Sequence, residues 1–417
     1  MSESFRRIRA ADLISAGLLR VEDGNHGEYR PRRDEFSNVG TAFIRAADLT
    51  ASGINFAGAE KINEAARSRI RKGVGAPCDT ILSHKGTVGK VAFASADSPN
   101  FVCSPQTTVW RSLDHAEIDP RFLFYELQAS GFQGQLTALK SESDMAPYVS
   151  LTEQRKLWLS LPPVPVQRAI AEMLGALDDK IAVNEQISRT ASALASVYGQ
   201  QFLSRADGDY VTLGEVADIA KGVSYRSADL ESGNDRLVTL KCVGRDGRFQ
   251  VEGLKRYSGD YKQSQVVKNG DIVVAQTDLT QRAEVIGRPV RVSVSGHAGR
   301  LVASLDLVAV RPGPYLSRET LLALLSTQAF REHSLSYCNG TTVLHMGARA
   351  LPEFRFRLPS NKIVEAATDV MAPLLSRSDG ARWEGKALAD LRDTLLPGLM
   401  SGAIRVPSAE KAVEDAI

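Results

Sequence analysis

Residues 161–204 hold the feature that most constrains this chain: LPPVPVQRAIAEMLGALDDKIAVNEQISRTASALASVYGQQFLS. The segment opens on Pro162, Pro163 and Pro165, and a first helical turn tolerates proline because its missing N–H is not needed there. No later proline interrupts it, and this reading places the first interior breaker at Gly199. With Ile170 at heptad position d, Leu174, Leu177, Ile181, Ala191, Ala195, Tyr198 and Phe202 fall on a and d positions. Asn184 and Ser188 interrupt that stripe at its middle. The pattern predicts one helix of about 38 residues, ~57 Å long at a rise of ~1.5 Å per residue. A stripe this narrow suits a coiled-coil seam better than a globular core face, the alternative being a buried helix of one large domain. A helix of that length in mid-chain needs a partner, or it spans between two bodies.

The partner is visible further on. Leu358-Pro359-Ser360 repeats Leu161-Pro162-Pro163, and a second long helical pattern follows. Ile363, Ala367, Val370 and Leu374 keep the heptad spacing, Pro373 and Gly380 weaken the middle, and Leu388, Leu391, Leu395 and Leu399 resume it. The pattern is expected to stop at Pro397-Gly398. The chain therefore reads as body, long helix, body, long helix: residues 1–160, 161–205, 206–358 and 359–403, with 404–417 as a tail expected to fray.

The two bodies share an order of elements. In the first, residues 4–19 form a short amphipathic opening element, 41–49 a strand into a turn, 79–94 two strands around Lys85-Gly86, and 120–130 a helix. In the second, residues 210–219 open the body, and 236–243 stand where 41–49 stood. Asp271 opens an apolar strand as Asp79 does, Ile286-Gly287-Arg288 matches Val88-Gly89-Lys90, Ala309-Val310-Arg311 matches Val109-Trp110-Arg111, and 316–330 is helical. Matches kept in order, each body ending in Leu-Pro and a long helix, indicate a tandem duplication. The expected fold class is α+β: two duplicated mixed α/β bodies separated by long antiparallel coiled-coil-like helices.

Composition narrows the function. No apolar run is long enough to cross a bilayer and no signal-peptide core precedes Arg9, so a cytoplasmic protein without membrane contact is expected. Cys78, Cys103, Cys242 and Cys338 lie far apart, as reduced thiols rather than a zinc site. The formal net charge is only +2, so any nucleic-acid role rests on local basic surfaces.

Catalytic signatures are missing. Gly86-Thr87-Val88-Gly89-Lys90-Val91 lacks phosphate-loop spacing, and no GxGxxG after a strand, HExxH or GxSxG occurs. The Asn/Asp-Pro-Pro-aromatic loop of an amino-methyltransferase is absent. Asp178-Asp179-Lys180 and Glu384-Gly385-Lys386 have a nuclease-like spelling, but both fall inside the long helices and read as helix-surface charges. His26 could touch a substrate or simply be a solvated turn residue. No catalytic or metal-binding residue is assigned.

Binding chemistry remains. Arg30, Arg32 and Arg33, then Arg67, Arg69, Arg71 and Lys72, make the first body basic. Arg245, Arg248, Lys255, Arg256 and Lys262, interleaved with Phe249, Tyr257 and Tyr261, do so in the second. Such side chains neutralise phosphates, while Arg, Asn and Gln read base edges. A charge run is more often a solvated face; two basic bodies joined by long helices shift that balance towards duplex DNA. The turns at His84-Lys85 and Gln276-Thr277 follow matched strands and are the places from which bases are expected to be read.

These residues resemble the specificity subunit of type I restriction-modification systems over essentially the whole chain. The likeness rests on LPPVPVQRAI at 161–170, LGALDDKI at 174–181, LRDTLLPGLMSG at 391–402, DGNHG at 23–27 and FIRAADL at 43–49. Val166 stands where the family often has Glu, and residues 360–364 have lost the proline box almost entirely. The resemblance implies two target-recognition domains, each reading half of a split duplex DNA site. It implies paired helices that act as a ruler and dock two modification (methyltransferase) subunits, with Ile170, Leu174, Leu177, Ile181, Asn184, Leu388, Leu391 and Leu395 in the seam. The modification subunits would use S-adenosylmethionine to methylate adenine, and a restriction subunit would use ATP and Mg²⁺ to translocate and cleave DNA. The chain itself would hold no cofactor and no active site. A self-contained nuclease, or a protein scaffold that binds no DNA, are the alternatives from other classes.

Overall fold

A computed structural model describes residues 5–50, 53–140, 147–230, 232–296 and 299–414. The first residue of the expected opening element, Ser4, and residues 415–417 of the tail lie outside the described residues. The chain divides into two compact units, residues 1–183 with 385–417, and residues 184–384, so each long helix belongs half to one and half to the other.

In the first unit, strand Arg6–Arg9 pairs antiparallel with Trp158–Leu161, the strand that feeds the first long helix. An antiparallel sheet runs in the order Thr87–Phe93, Thr80–Lys85, Thr107–Ser112, Leu19–Asp23. The two strands predicted around Lys85-Gly86 are its first hairpin, and Gly86 takes a positive φ of 78° at the turn. A second sheet runs Phe36–Ser37, Lys61–Ile62, Thr41–Ile44, Phe101–Cys103, Val74–Gly75, with Thr41–Ile44 and Phe101–Cys103 parallel. Asp119 caps the helix Pro120–Gln128, whose Phe122, Leu123 and Tyr125 pack with Trp110 and Phe132 in the core.

The second unit repeats this plan. Strand Tyr210–Thr212 pairs with Arg355–Arg357, just before the second long helix. The antiparallel sheet runs Pro289–Arg291, Ile272–Ala275, Leu307–Pro312, Ala217–Lys221, the order of the first unit. Strands Asp235–Val238 and Leu301–Ala303 supply the matching parallel pair. The Asp–Arg correspondence seen in the sequence is an ion pair in both. Arg111 donates Nε and Nη2 to fully buried Asp79, each at 2.6 Å, and reaches the Val74 carbonyl at 3.2 Å. Arg311 sits 3.7 Å from Asp271 and donates to the Val266 carbonyl at 2.7 Å. One match is looser: Val88-Gly89-Lys90 lies within a strand, whereas Ile286-Gly287-Arg288 is the loop before one.

The long helices are Val164–Leu203, 40 residues, and Asn361–Ser401, 41 residues. In the first unit Ile170, Leu174 and Leu177 are buried with Leu388, Leu395 and Leu399, while Ile181 and Leu391 are partly buried against them. In the second unit the seam is made mostly of small and polar side chains, Asn184, Ser188, Ala191 and Ala195 on one helix and Ala367, Ser378 and Ala381 on the other, with Met371 and Leu375 as its large apolar members. Ser378 Oγ lies 3.0 Å from Ser188 Oγ and 2.8 Å from Ser192 Oγ. Since residue 188 meets 378 while 178 meets 392, the helices run antiparallel.

Several sequence expectations are corrected. The first helix contains Gly175 as well as Gly199, and a Cβ at 175 would come within 2.6 Å of the Arg121 guanidinium that seals that face. Tyr198 is exposed and Gly199 takes its place in the seam, because the stripe advances by four residues after Ala195 instead of three. On the second helix Met371 and Leu375 are the buried positions, one step beyond Val370 and Leu374. That helix continues through Pro397-Gly398 to Ser401, since Leu399 and Met400 are buried in the first core, and Gly402 with φ 73° ends it. The tail is also ordered: Val406–Glu414 is a helix whose Ala409 is fully buried in the first core, with Val406 and Val413 partly buried beside it.

Candidate nucleic-acid interface

In the first unit the two basic stretches meet. Asn63 caps the short helix Glu64–Arg69, which places Arg69 against the loop of Arg30–Arg33. Arg69 forms an ion pair with Glu35 and donates to the Arg30 carbonyl at 3.2 Å. The Arg69 hydrogen bond, with the Arg32 N–H, holds the Glu35 carboxyl down at about 2. Arg69 is thus a strut for this surface, and Arg30, Arg32 and Arg33 are left exposed on it. Arg71 and Lys72 are exposed as well, Lys72 beside Asp23, His26 and Arg155 around a cavity of about 410 Å³.

His84 and Lys85 end the central strand. His84 N–H donates to the Gln106 carbonyl at 2.9 Å, and the His84 carbonyl accepts from Val149 N–H at 2.9 Å. Lys85 is exposed and lies over the ring of Tyr148, opposite it across a bridge. His84 is buried, with Nε2 3.9 Å from Asp23 Oδ1. These two atoms and the Asn25 Oδ1 are buried without a hydrogen-bond partner.

The second unit builds the same node at Gln276 and Thr277. Gln276 N–H donates to the Asp306 carbonyl at 2.7 Å, and its carbonyl accepts from Met346 N–H at 2.8 Å. Thr277 pairs across strands with exposed His345, as Lys85 does with Tyr148. Thr277 itself is buried and donates to Asp306 at 2.9 Å. Tyr148 and His345 were missed because their partners lie over 60 residues away in sequence. Among the other basic residues, Lys255 and Arg256 are exposed on one strand, Arg245 pairs with Glu284 at 3.0 Å, and Arg248 is held by Asp246 and Glu185 at 2.6 and 2.9 Å.

The nuclease-like Asp178-Asp179-Lys180 is structural. Asp178 accepts from Tyr125 Oη and Arg392 Nη1, both at 2.6 Å, and Asp179 accepts from Arg121 at 2.6 Å. These bonds fasten the first body to both helices. Among the described residues no group of three His, Cys, Asp or Glu side chains is placed to hold a metal ion, and no helix is long and apolar enough to cross a membrane. All four cysteines are free, and burial pushes the Cys242 thiol up to about 12.

Residues 25–191, which span this node and the first half of the seam, match the family model of the type I restriction modification DNA specificity domain. The body that carries most of this match is the first of two copies of one plan. Across the whole chain the fold is similar to that of the type I restriction-modification S subunit from M. genitalium: TM-score 0.62, 15% identity, covering 95% of this chain and 96% of that one. The HsdS subunit from Thermoanaerobacter tengcongensis is 20% identical, covers 96% of this chain and 97% of that one, and has a TM-score of 0.34. A structure solved for complex assembly and conformational transition of the type I R-M system is 18% identical over 95% of this chain and 97% of that one, with a TM-score of 0.41. No curated protein matches the chain.

Proposed function

We propose that the chain is the DNA specificity subunit of a type I restriction-modification complex. The observation that carries this reading is that the specificity-domain match falls on a body whose four-stranded antiparallel sheet and parallel strand pair recur in the same order in the second unit. Each body reads one half of a bipartite duplex site. Exposed Arg30, Arg32, Arg33, Arg71 and Lys72 in the first, and Lys255 and Arg256 in the second, neutralise phosphates, while the loops at Lys85–Tyr148 and Thr277–His345 reach base edges. The two continuous helices set the distance between half-sites and dock two modification subunits, through which a restriction subunit joins. S-adenosylmethionine, ATP and Mg²⁺ belong to those partners, and this chain supplies specificity without chemistry.

The test is reconstitution. The purified chain with S-adenosylmethionine and duplex DNA is expected to leave adenines unmethylated, and adding its modification subunit to produce methylation at one split sequence. Methylation by the chain alone, or Mg²⁺-dependent plasmid cleavage by it, overturns the reading.

A further inference from the structure

The second unit holds a cavity of about 420 Å³ beside its half of the helix seam. Five arginines line it: Arg248, Arg288, Arg291, Arg331 and Arg382. Two have carboxylate partners, Arg291 with Asp379 and Arg248 with Asp246 and Glu185. The other three donate to backbone carbonyls: Arg288 to Glu284, Arg331 to Ala283 and Arg382 to Phe249. None of these three forms an ion pair among the described residues, and Arg331 Nη1 is buried without a partner. Burial first, and then the charge of Arg288, holds the Arg331 guanidinium below its usual range. Burial and the charge of Arg248 do the same to Arg382. Unmatched charges in a partly desolvated site are costly, and an anion that accepts their hydrogen bonds removes that cost.

The cavity is also lined by apolar Leu322, Ala323, Leu325, Met371 and Leu375. The volume falls within the ~300–1,000 Å³ of small-molecule sites. We infer that this cavity binds a small organic phosphate of the nucleoside diphosphate class, its phosphoryl oxygens on Arg288, Arg331 and Arg382 and its organic part against the apolar lining residues. A phosphate monoester carries only about −1.5 to −2 charges near neutral pH, short of three guanidiniums, and a second phosphoryl group makes up the difference. Arg288 and Arg331 come from the body and Arg382 from the second long helix, so the ligand ties the two together within this unit. The site is separate from the base-reading loops, and its occupant is a free solute, not a DNA backbone phosphate.

Calorimetric titration of the full chain with ADP, AMP and inorganic pyrophosphate tests this. ADP is expected to bind one to one and more tightly than AMP, with about tenfold or greater weakening in R331Q and in R288Q. The charge-retaining R331K is expected to keep more of the affinity than R331Q. Thermal melts establish that each variant is folded, and half-buried Arg288 provides the variant to use if R331Q does not fold. Saturating duplex DNA is expected to leave ADP binding unchanged. No binding of ADP or pyrophosphate at millimolar concentration, or equal affinity in wild type and in a folded R288Q, overturns the proposal. Displacement of ADP by duplex assigns the site to DNA phosphate and overturns it equally.

Discussion

His84 and Gln276 occupy the same hydrogen-bonded node of the two bodies and make the same side-chain bond with different chemistry. His84 Nδ1 lies 3.0 Å from the Val149 carbonyl, and Gln276 Nε2 donates to the Met346 carbonyl at 3.2 Å. A carbonyl accepts, so the buried imidazole must carry its proton on Nδ1, where it does the work of the glutamine amide. Each side chain pins the segment that carries the exposed Tyr148 or His345.

From this node comes the first prediction. Burial lowers the His84 pKa from its ordinary value. The unfolded chain therefore takes up the proton before the folded one does, and stability is lost as pH falls below about 6.5. H84Q keeps the bond and flattens that loss, whereas H84A costs ~1–3 kcal/mol at neutral pH. Denaturant unfolding between about pH 7.5 and about pH 5 checks both; an H84Q protein with wild-type acid sensitivity contradicts the account.

Glu126 works in the opposite direction. It is buried against strand Trp158–Leu161, accepts only the Ser160 N–H, at 2.6 Å, among the described residues, and burial pushes its carboxyl up to about 8. The folded state holds a proton that the unfolded state has already lost, so stability falls as pH rises from 4.5 to about 8. E126Q should remove this slope and raise stability above pH 8 by an amount on the order of 2–4 kcal/mol. Melting curves of the two proteins across that window should converge at acid pH and separate at alkaline pH.

The duplicated ion pairs differ in strength. Asp79 is fully buried under a bidentate Arg111, while Asp271 is shared between Arg311 and Arg318 at 3.7 and 3.4 Å. R111A strands a buried carboxylate and should cost ~3–5 kcal/mol. R311A leaves Asp271 a second cation and should cost about half as much or less. Unfolding monitored in each variant decides this, and equal costs contradict it.

Much of the fold was legible in the sequence because it is local or repeated. The Lys85-Gly86 hairpin follows from strand periodicity around a glycine turn, and the duplication from element order kept over two bodies. The heptad stripe located the first half of the seam, where Leu174 and Leu177 are large apolar residues. It failed at Tyr198 and at Leu374, where the next residue, Gly199 or Leu375, is the buried one, because packing decides between two adjacent positions. The tail helix was hidden because its support comes from the first core, which includes residues far away in sequence. The proposed binding surface was legible in composition only. Arg69 reads like Arg71, yet Glu35 claims one and leaves the other exposed, and a pairing across 34 residues has no local signal.

Gly199 tests the close approach in the second half of the seam. A Cβ there would lie 2.6 Å from the Ala323 Cβ and 3.0 Å from the Met371 Cε. Helix propensity alone makes G199A stabilising by ~1 kcal/mol. Overpacking of ~1–3 kcal/mol outweighs it, so the melting temperature should fall. Gly380 has nothing within 4 Å of an added Cβ, and G380A should raise the melting temperature. The opposite order would remove the close packing from the account.

The most direct test of the central claim is to map methylated adenines after replacing the first body, residues 5–160, with that of a related specificity subunit, in the presence of the modification subunit. Two independently reading bodies on one helical frame predict a new sequence in one half of the site, with the other half and the spacer unchanged. A change in both halves, or an unchanged site, would contradict it.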